Sequence, residues 1–151
     1  MRVALGMSRL RRLADLMAKE VSFPIAADRD IVTLRQHVRE LAVRLGFSSP
    51  DQISVVTAVS ELAHNILDQA SKGEMLLCAV KSKDGRKLGL QAVARDKGSG
   101  VHDPKTLSVH GPGPQGSPDY RLPTARRVVD EFEIVGVPGE GTTVTIRKWP
   151  R

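Results

Sequence analysis

The sequence has few of the residues on which disulfide-bonded, nucleic-acid-stacking and membrane-spanning proteins depend. Cysteine occurs once, at Cys78 in the apolar run MLLCAV, so no disulfide can form within the chain. We expect this residue to be a small core hydrophobe. Three phenylalanines, one tyrosine and one tryptophan are too few for a base-stacking surface. No apolar run approaches the roughly 18 residues of a membrane span, so we expect neither a nucleic-acid nor a membrane partner.

Metal-ligand spacing and a secretion signal are also missing. The four histidines are isolated from one another and from the cysteine: His37, His64, His102 and His110. Zinc sites need closely spaced pairs of such residues, so the sequence does not predict one. The basic N-terminus is not followed by a long apolar segment, which a secretory signal requires. We therefore expect a cytoplasmic protein.

What is present fits a single globular domain. A chain of 151 residues can bury one full hydrophobic core. The formal net charge is +6, and its positive residues are mostly scattered along the sequence. They form either an ordinary solvated surface or a patch for an acidic partner or a phosphate group. Residues 1–20 read as an N-terminal basic extension, either a frayed segment or a short docking helix, and residues 21–151 as the domain.

Hydrophobic periodicity predicts two strands and two helices in the first two-thirds of the domain. The segment VSFPI favours a short strand, and apolar residues at helical spacing follow from the N-cap candidate Asp28 to Gly46. The stretch from Ser49, with Pro50 in the first turn, starts a second helix that runs to about Ala70. The runs EMLLCAVKS and KLGLQAVARD flank Asp-Gly, which is typical of a hairpin turn.

A loop rich in glycine and proline follows over residues 101–118, and then a helix around 122–131. The segments FEIVGV and TTVTIRKW, joined by PGEG, predict a second hairpin. The complete order is β-α-α-β-β-loop-α-β-β. This order predicts an α+β fold, a two-layer sandwich with a mixed sheet and helices on one face.

The stretch SELAHNILD raises the first functional question, because it places a carboxylate and an amide one turn apart on an aliphatic helix. At 100° per residue, Glu61 and Asn65 fall about 40° apart, at one edge of the polar arc. Side chains at such an edge line the cleft between a helix and a sheet. The alternative is an ordinary solvated helix edge.

Two further polar segments follow strands. Asp96 ends a buried strand and opens DKGSG, in which Gly98 and Gly100 allow a sharp turn and close approach to a flat ligand. A carboxylate at this point can accept a hydrogen bond from an amino group such as that of adenine. Farther along, GEGTT leads into the last strand, where Thr143 could face the same pocket. A β-turn and a hairpin loop are the simpler alternatives for these two segments.

Taken together and in this order, the segments resemble the GHKL (Bergerat) ATP-binding fold. Five stretches, covering about Val21 to Trp149, look like the anti-sigma regulatory factor serine/threonine kinases, including the switch kinase of the bacterial stressosome: DIVTLRQHVRELAVRLGF, ISVVTAVSELAHNIL, VARDKGSG, ARRVVDEFEI and GEGTTVTIRKW. The resemblance implies that the chain binds ATP and Mg²⁺.

Site roles follow from the same resemblance. Asn65 would coordinate the Mg²⁺ that bridges the ATP phosphates, since an amide oxygen is a hard ligand. Glu61 would be the general base for the attacking hydroxyl. Asp96 would bind the adenine amino group beside Gly98 and Gly100, and Thr143 would support that contact. His64 stands where these relatives usually carry arginine, which removes a permanent positive charge.

The phosphate-binding lid departs from the family pattern. Relatives have glycines whose backbone N–H groups wrap the phosphates, and the corresponding positions here are Ser117, Asp119 and Arg121. Pro118 has no N–H, and Asp119 would bring negative charge towards phosphate. Arg121 could supply a compensating cation. The three upstream glycines could form a shifted lid: Gly111, Gly113 and Gly116.

The resemblance predicts a partner-switching regulator, for which two readings stay open. In the first, the chain phosphorylates a STAS-domain anti-sigma antagonist or a stressosome scaffold protein. In the second, a weakened lid leaves a binding module that sequesters a STAS protein, a sigma factor or a PP2C-type phosphatase without phosphotransfer. A histidine kinase is disfavoured because no phospho-acceptor helix precedes the domain. A homodimer is left open by the sequence.

Overall fold

Capping residues fix the two long helices. The computed structural model describes residues 19–98 and 121–151. Helix α1 spans Asp28–Arg44, and its N-cap is Ala27 rather than Asp28. The Asp30 carboxylate accepts hydrogen bonds from the N–H groups of Ala26 and Ala27 at 2.9 and 3.0 Å. Ser48 caps helix α2, Ser49–Ala70, by accepting a hydrogen bond from the Asp51 N–H at 3.4 Å.

Five strands and a third helix complete the described chain. The strands are β1 (Val21–Ile25), β2 (Gly73–Lys81), β3 (Leu88–Asp96), β4 (Glu131–Val137) and β5 (Gly141–Lys148), and helix α3 spans Arg121–Arg127. The predicted order of strands and helices is confirmed for the described residues, and the predicted loop over residues 101–118 lies outside them. Among the described helices, none is long and apolar enough to cross a bilayer.

Helix α3 is shorter than its apolar pattern predicted. It ends at Arg127, because Asp130 is held by the sheet instead of extending the helix. The Asp130 N–H donates to the carbonyl of Arg147 at 3.0 Å, and its carboxylate accepts from the Trp149 N–H at 2.8 Å. These two bonds start the hairpin of β4 and β5.

The sheet has the order β1-β2-β3-β5-β4, and all four pairings are antiparallel. The prediction of a mixed sheet is therefore wrong. A parallel neighbour needs a crossover connection, usually one helix, that carries the chain back to the end of the sheet where the first strand began. Here two helices, α1 and α2, connect β1 to β2, and the second reverses the direction of the first. The chain consequently enters β2 at the end where it left β1.

The three helices of the described residues pack on one face of the sheet, as predicted. Alternate strand residues point into this layer and are buried there: Phe23, Ile25, Met75, Leu77, Leu90, Ala92, Val144 and Ile146. Helix α2 lies at the centre of the layer and contacts both α1 and α3. It is thus surrounded by protein along most of its length.

Charged and polar side chains that contact one another across the strands cover the opposite face of the sheet. Leu76 and Val93 lie opposite each other there, and each is only 8% exposed. On one side of them Arg95 lies 3.7 Å from Glu74, and on the other Arg147 donates to Gln91 at 2.7 Å. Long charged side chains of this kind cover apolar surface with their aliphatic stems.

Cys78 belongs to this outer face, which corrects its assignment to the core. Its side chain is half-buried, and Gln91 donates to its sulfur at 3.4 Å. Burial raises the pKa of the Cys78 thiol above its ordinary value. The thiol is therefore expected to be protonated at neutral pH.

Candidate functional site

Helix α2 carries the acid and the amide that the sequence singled out, but at different depths. Asn65 is only 2% exposed and belongs to the buried interior, whereas Glu61 is half-buried one turn earlier. The Asn65 Oδ1 atom is buried and has no hydrogen-bond partner among the described residues. An unpaired buried amide oxygen costs about 1–3 kcal/mol, so its retention calls for a reason.

A cation is a chemically suitable partner for this oxygen. Magnesium prefers hard oxygen ligands and usually binds proteins through one or two side chains, together with substrate phosphates and water. Asn65 fits that pattern, because its oxygen is already desolvated and oriented by a buried helix. Within residues 19–98 and 121–151 there is no cluster of three or more His, Cys, Asp or Glu side chains that could hold a metal.

Asp96 ends β3 on the helix-facing side of the sheet and is 8% exposed. One of its oxygens, Oδ1, accepts a hydrogen bond from the backbone N–H of Gly98 at 2.8 Å. This bond fixes the orientation of the carboxylate plane. To the part of the chain that the structure describes, the carboxylate makes no other hydrogen bond.

The turn at Gly98 brings Asp96 against the C-terminal end of α2. A Cβ atom on Gly98 would lie 3.0 Å from the carbonyl oxygen of Gln69 and 3.3 Å from the Cβ of Ala70. Asn65 precedes Gln69 by four residues, which is about 6 Å along a helix axis. The structure thus brings Asn65, Asp96 and Gly98 to one end of the cleft between α2 and the sheet.

The structure places Thr142, not Thr143, on the same face as Asp96. Thr142 pairs directly with Asp96 across β5 and β3 and is 3% exposed. Thr143 pairs with Arg95 and with Val135, on the outer face of the sheet. Because side chains alternate along a strand, only Thr142 points towards the helices. The expected position of Thr143 in the pocket is therefore corrected.

Two predicted residues and the lid fall outside this description. Gly100 lies outside the described residues, and so does the lid segment with its glycine and proline positions. Arg121 is the first residue of α3, but its side chain is not among the described parts. The helix that it begins packs against α2 and buries Leu122 and Ala125 completely.

A buried ion pair that sequence reasoning missed holds the other end of α2. Lys148 Nζ lies 3.8 Å from Asp51 Oδ1, and the two side chains are only 5% and 13% exposed. The pair ties the first turn of α2 to the end of β5. No sequence signal marks it, because Asp51 already has an ordinary place in the first turn of a helix.

His64 lies half-buried between Glu61 and Asn65 in sequence, and its Nδ1 is 2.9 Å from the Ser60 carbonyl oxygen. A carbonyl can only accept a hydrogen bond, so Nδ1 must carry the hydrogen. This bond turns the ring back along its own helix. Unlike the guanidinium of arginine, the ring carries no permanent positive charge.

The chain is similar in sequence to known proteins. The family of histidine kinase-like ATPase domains matches residues 25–148. The serine/threonine-protein kinase RsbT of Bacillus subtilis (strain 168) is 39% identical over 127 residues, which cover 84% of this chain and 94% of that protein.

A solved structure has the same fold. The crystal structure of the RsbU and RsbW domains of Rv1364c from Mycobacterium tuberculosis aligns with a TM-score of 0.58 and 21% identity, over 88% of this chain. This chain spans only 33% of that one. The family match, the identity to RsbT and the shared fold agree, and the protein belongs to the anti-sigma-factor kinase branch of the histidine kinase-like (GHKL) ATPase domains.

Proposed function

We propose that this protein is a partner-switching serine/threonine kinase that binds ATP with Mg²⁺ and phosphorylates a STAS-domain protein. The observation that carries the proposal is the buried, unpartnered Oδ1 of Asn65 at the end of the cleft that also holds Asp96. The 39% identity to a serine/threonine-protein kinase supports the reaction class. STAS-domain antagonists, stressosome scaffolds, sigma factors and PP2C-type phosphatases are the partner classes that the family resemblance suggests.

Each site residue has a role that its position allows. Asn65 would hold the Mg²⁺ that neutralises the phosphate charge, while Oδ2 of Asp96 accepts a hydrogen bond from the adenine amino group. Gly98 keeps the backbone close to the base because any side chain there would contact α2. Thr142, opposite Asp96, takes the supporting role at the adenine end.

Glu61 would act on the protein substrate. The acceptor hydroxyl oxygen forms a bond to the γ-phosphorus, and the bond from that phosphorus to the departing ADP oxygen breaks. Glu61 accepts the hydroxyl proton, which is the usual task of a general base in phosphoryl transfer. Phosphorylation then adds about two negative charges to the partner surface, and like charges or desolvation release it.

Nucleotide-dependent thermal stability tests the proposal. Millimolar ATP or ADP with Mg²⁺ should raise the melting temperature, because a ligand that binds only the folded state stabilises it by mass action. The same sample should transfer radiolabelled γ-phosphate to a purified STAS-domain protein. If nucleotide and Mg²⁺ do not change the melting temperature, the kinase hypothesis is wrong. That result would favour the binding module, which the missing lid glycines at Ser117, Asp119 and Arg121 already suggest.

The two neighbouring threonines give a matched test of the adenine end. Thr142→Val should weaken ATP binding about two- to tenfold, the usual effect of one lost hydrogen bond. Thr143→Val should leave the affinity unchanged, since that side chain lies on the outer face beside Arg95. Isothermal titration of both variants with ATP and Mg²⁺ measures the difference. A loss of ATP affinity in Thr143→Val alone would show that Thr143, as the sequence predicted, supports the adenine contact.

A further inference from the structure

Helix α2 packs against α1, α3 and the sheet, and the described elements leave only a narrow part of its surface uncovered. Over residues 55–66, the residues that are not buried are Thr57, Glu61 and His64. Their spacing of four and three residues places them above one another on one face of the helix. Ile53, four residues before Thr57, continues this line towards the N-terminal end. We call these four residues the α2 stripe.

Ile53 is the apolar member of the α2 stripe. It is 68% exposed, more than any other large apolar residue in the described parts of the chain. Eight residues separate it from Glu61, which corresponds to about 12 Å along a helix axis. A single exposed isoleucine is common on protein surfaces. Its position in line with the proposed general base is therefore the informative feature.

The surface of α2 around Ile53 is also free of charge. Between Asp51 and Glu61 the helix contains no charged residue. Helix α1 differs, because charged side chains occupy many of its exposed positions: Arg29, Arg35, Arg39, Glu40 and Arg44. The centres of protein–protein interfaces are depleted of charged residues. An uncharged surface with one prominent isoleucine therefore suits a protein partner that offers an apolar patch, rather than an acidic partner or a phosphate group.

We infer that the α2 stripe is the docking surface for the STAS-domain partner, and that Ile53 is its anchor. The inference rests on the proposed function, because that function places the acceptor hydroxyl of the partner at Glu61. A standard interface buries about 800 Å² on each protein, a patch roughly 30 Å across, so a partner centred on Glu61 also covers Ile53. The partner should therefore carry an apolar patch about 12 Å from its acceptor serine or threonine.

Kinetics of phosphate transfer to the purified STAS-domain protein, together with its binding to the full chain by isothermal titration, test the inference. Ile53→Asp should weaken binding and raise the KM for the STAS-domain protein about tenfold or more, because an apolar contact is lost and a carboxylate is desolvated. The kcat should not change, since Ile53 touches no reacting atom. Ile53→Leu should keep the wild-type KM, because it preserves the volume and the apolar character of the side chain.

Val135→Asp is the matched control, because Val135 is 60% exposed but lies on the outer face of the sheet, opposite to the helices. It should leave both binding and KM unchanged. The rise in melting temperature with ATP and Mg²⁺ should be the same in Ile53→Asp as in the wild type, which shows that the fold and the nucleotide cleft are intact.

The outcomes separate this inference from the kinase proposal. If the wild type transfers phosphate and Ile53→Asp has the same KM, the anchor is wrong and the kinase proposal stands. An equal loss of binding in Val135→Asp would also overturn the anchor. If the wild type binds the STAS-domain protein without transferring phosphate, the kinase proposal fails, and weaker binding by Ile53→Asp still supports the docking surface. A wild type that does not bind the STAS-domain protein overturns both.

Discussion

Asn65→Ala is expected to eliminate the thermal stabilisation by ATP and Mg²⁺ while leaving the ligand-free protein about as stable as the wild type. An ordinary buried asparagine would behave differently, because its removal would leave hydrogen-bond partners unsatisfied. Here the Oδ1 atom has no partner among the described residues. The substitution removes an uncompensated polar atom, worth about 1–3 kcal/mol, which offsets the cavity that it leaves.

Melting curves with and without millimolar ATP and Mg²⁺ measure both parts of this prediction. Phosphate transfer should fall about a hundredfold or more, since even outer-shell changes at metal sites cost 10–100-fold. Ser54→Ala is the matched control, because it is half-buried on the same helix but about 16 Å from Asn65 along the axis. If ATP and Mg²⁺ still raise the melting temperature of Asn65→Ala, then Asn65 is not part of the metal site. A large loss of ligand-free stability would show that its role is structural.

Periodic patterns made most of the fold predictable. The helices and hairpins follow from local apolar spacing, caps and Asp-Gly or Pro-Gly turns, all of which act within a few residues. The mixed sheet was wrong because strand direction depends on how many helices cross between two strands. Cys78 was misplaced for a related reason, since Leu76 and Leu77 are both buried and the alternation of β2 is hidden.

The site was predictable in outline but not in register. Asn65 and Asp96 each stand beside a clear signal, the edge of a helix or the end of a strand. Thr142 and Thr143 are chemically identical neighbours, and a shift of one residue along a strand exchanges its two faces. Only the pairing of Thr142 with Asp96 decides between them, and that pairing joins segments 46 residues apart. Local sequence carries no information at that distance.

The same pairing explains why the cleft depends on a backbone contact at the start of β5. Gly141 has φ +118°, and a Cβ on it would overlap the carbonyl oxygen of Asp96 and lie 2.8 Å from the Cα of Lys97. Neither of these atoms can move aside at a low energetic cost, because both belong to the main chain. The end of β3, and with it the Asp96 carboxylate, must move if Gly141 gains a side chain.

Gly141→Ala is therefore expected to destabilise the protein by about 3 kcal/mol or more, which combines overpacking with strain at positive φ. At this chain length, the melting temperature should fall by about 6–12 °C. Gly139→Ala is the matched control, since Gly139 also has a positive φ, of +81°, but no atom of the described chain lies within 4 Å of its Cβ position.

The control variant should lose only about 1 kcal/mol, from backbone strain alone. Melting curves of the two variants separate the cost of overpacking from the cost of backbone strain. The difference between the two melting temperatures measures the close approach of β5 to the end of β3. ATP affinity adds a second readout, because a displaced Asp96 binds adenine less well even in protein that remains folded. Equal melting temperatures for the two variants would mean that β3 relaxes freely at Asp96. A carboxylate held so loosely could not orient a purine, and the adenine end of the cleft would then need another explanation.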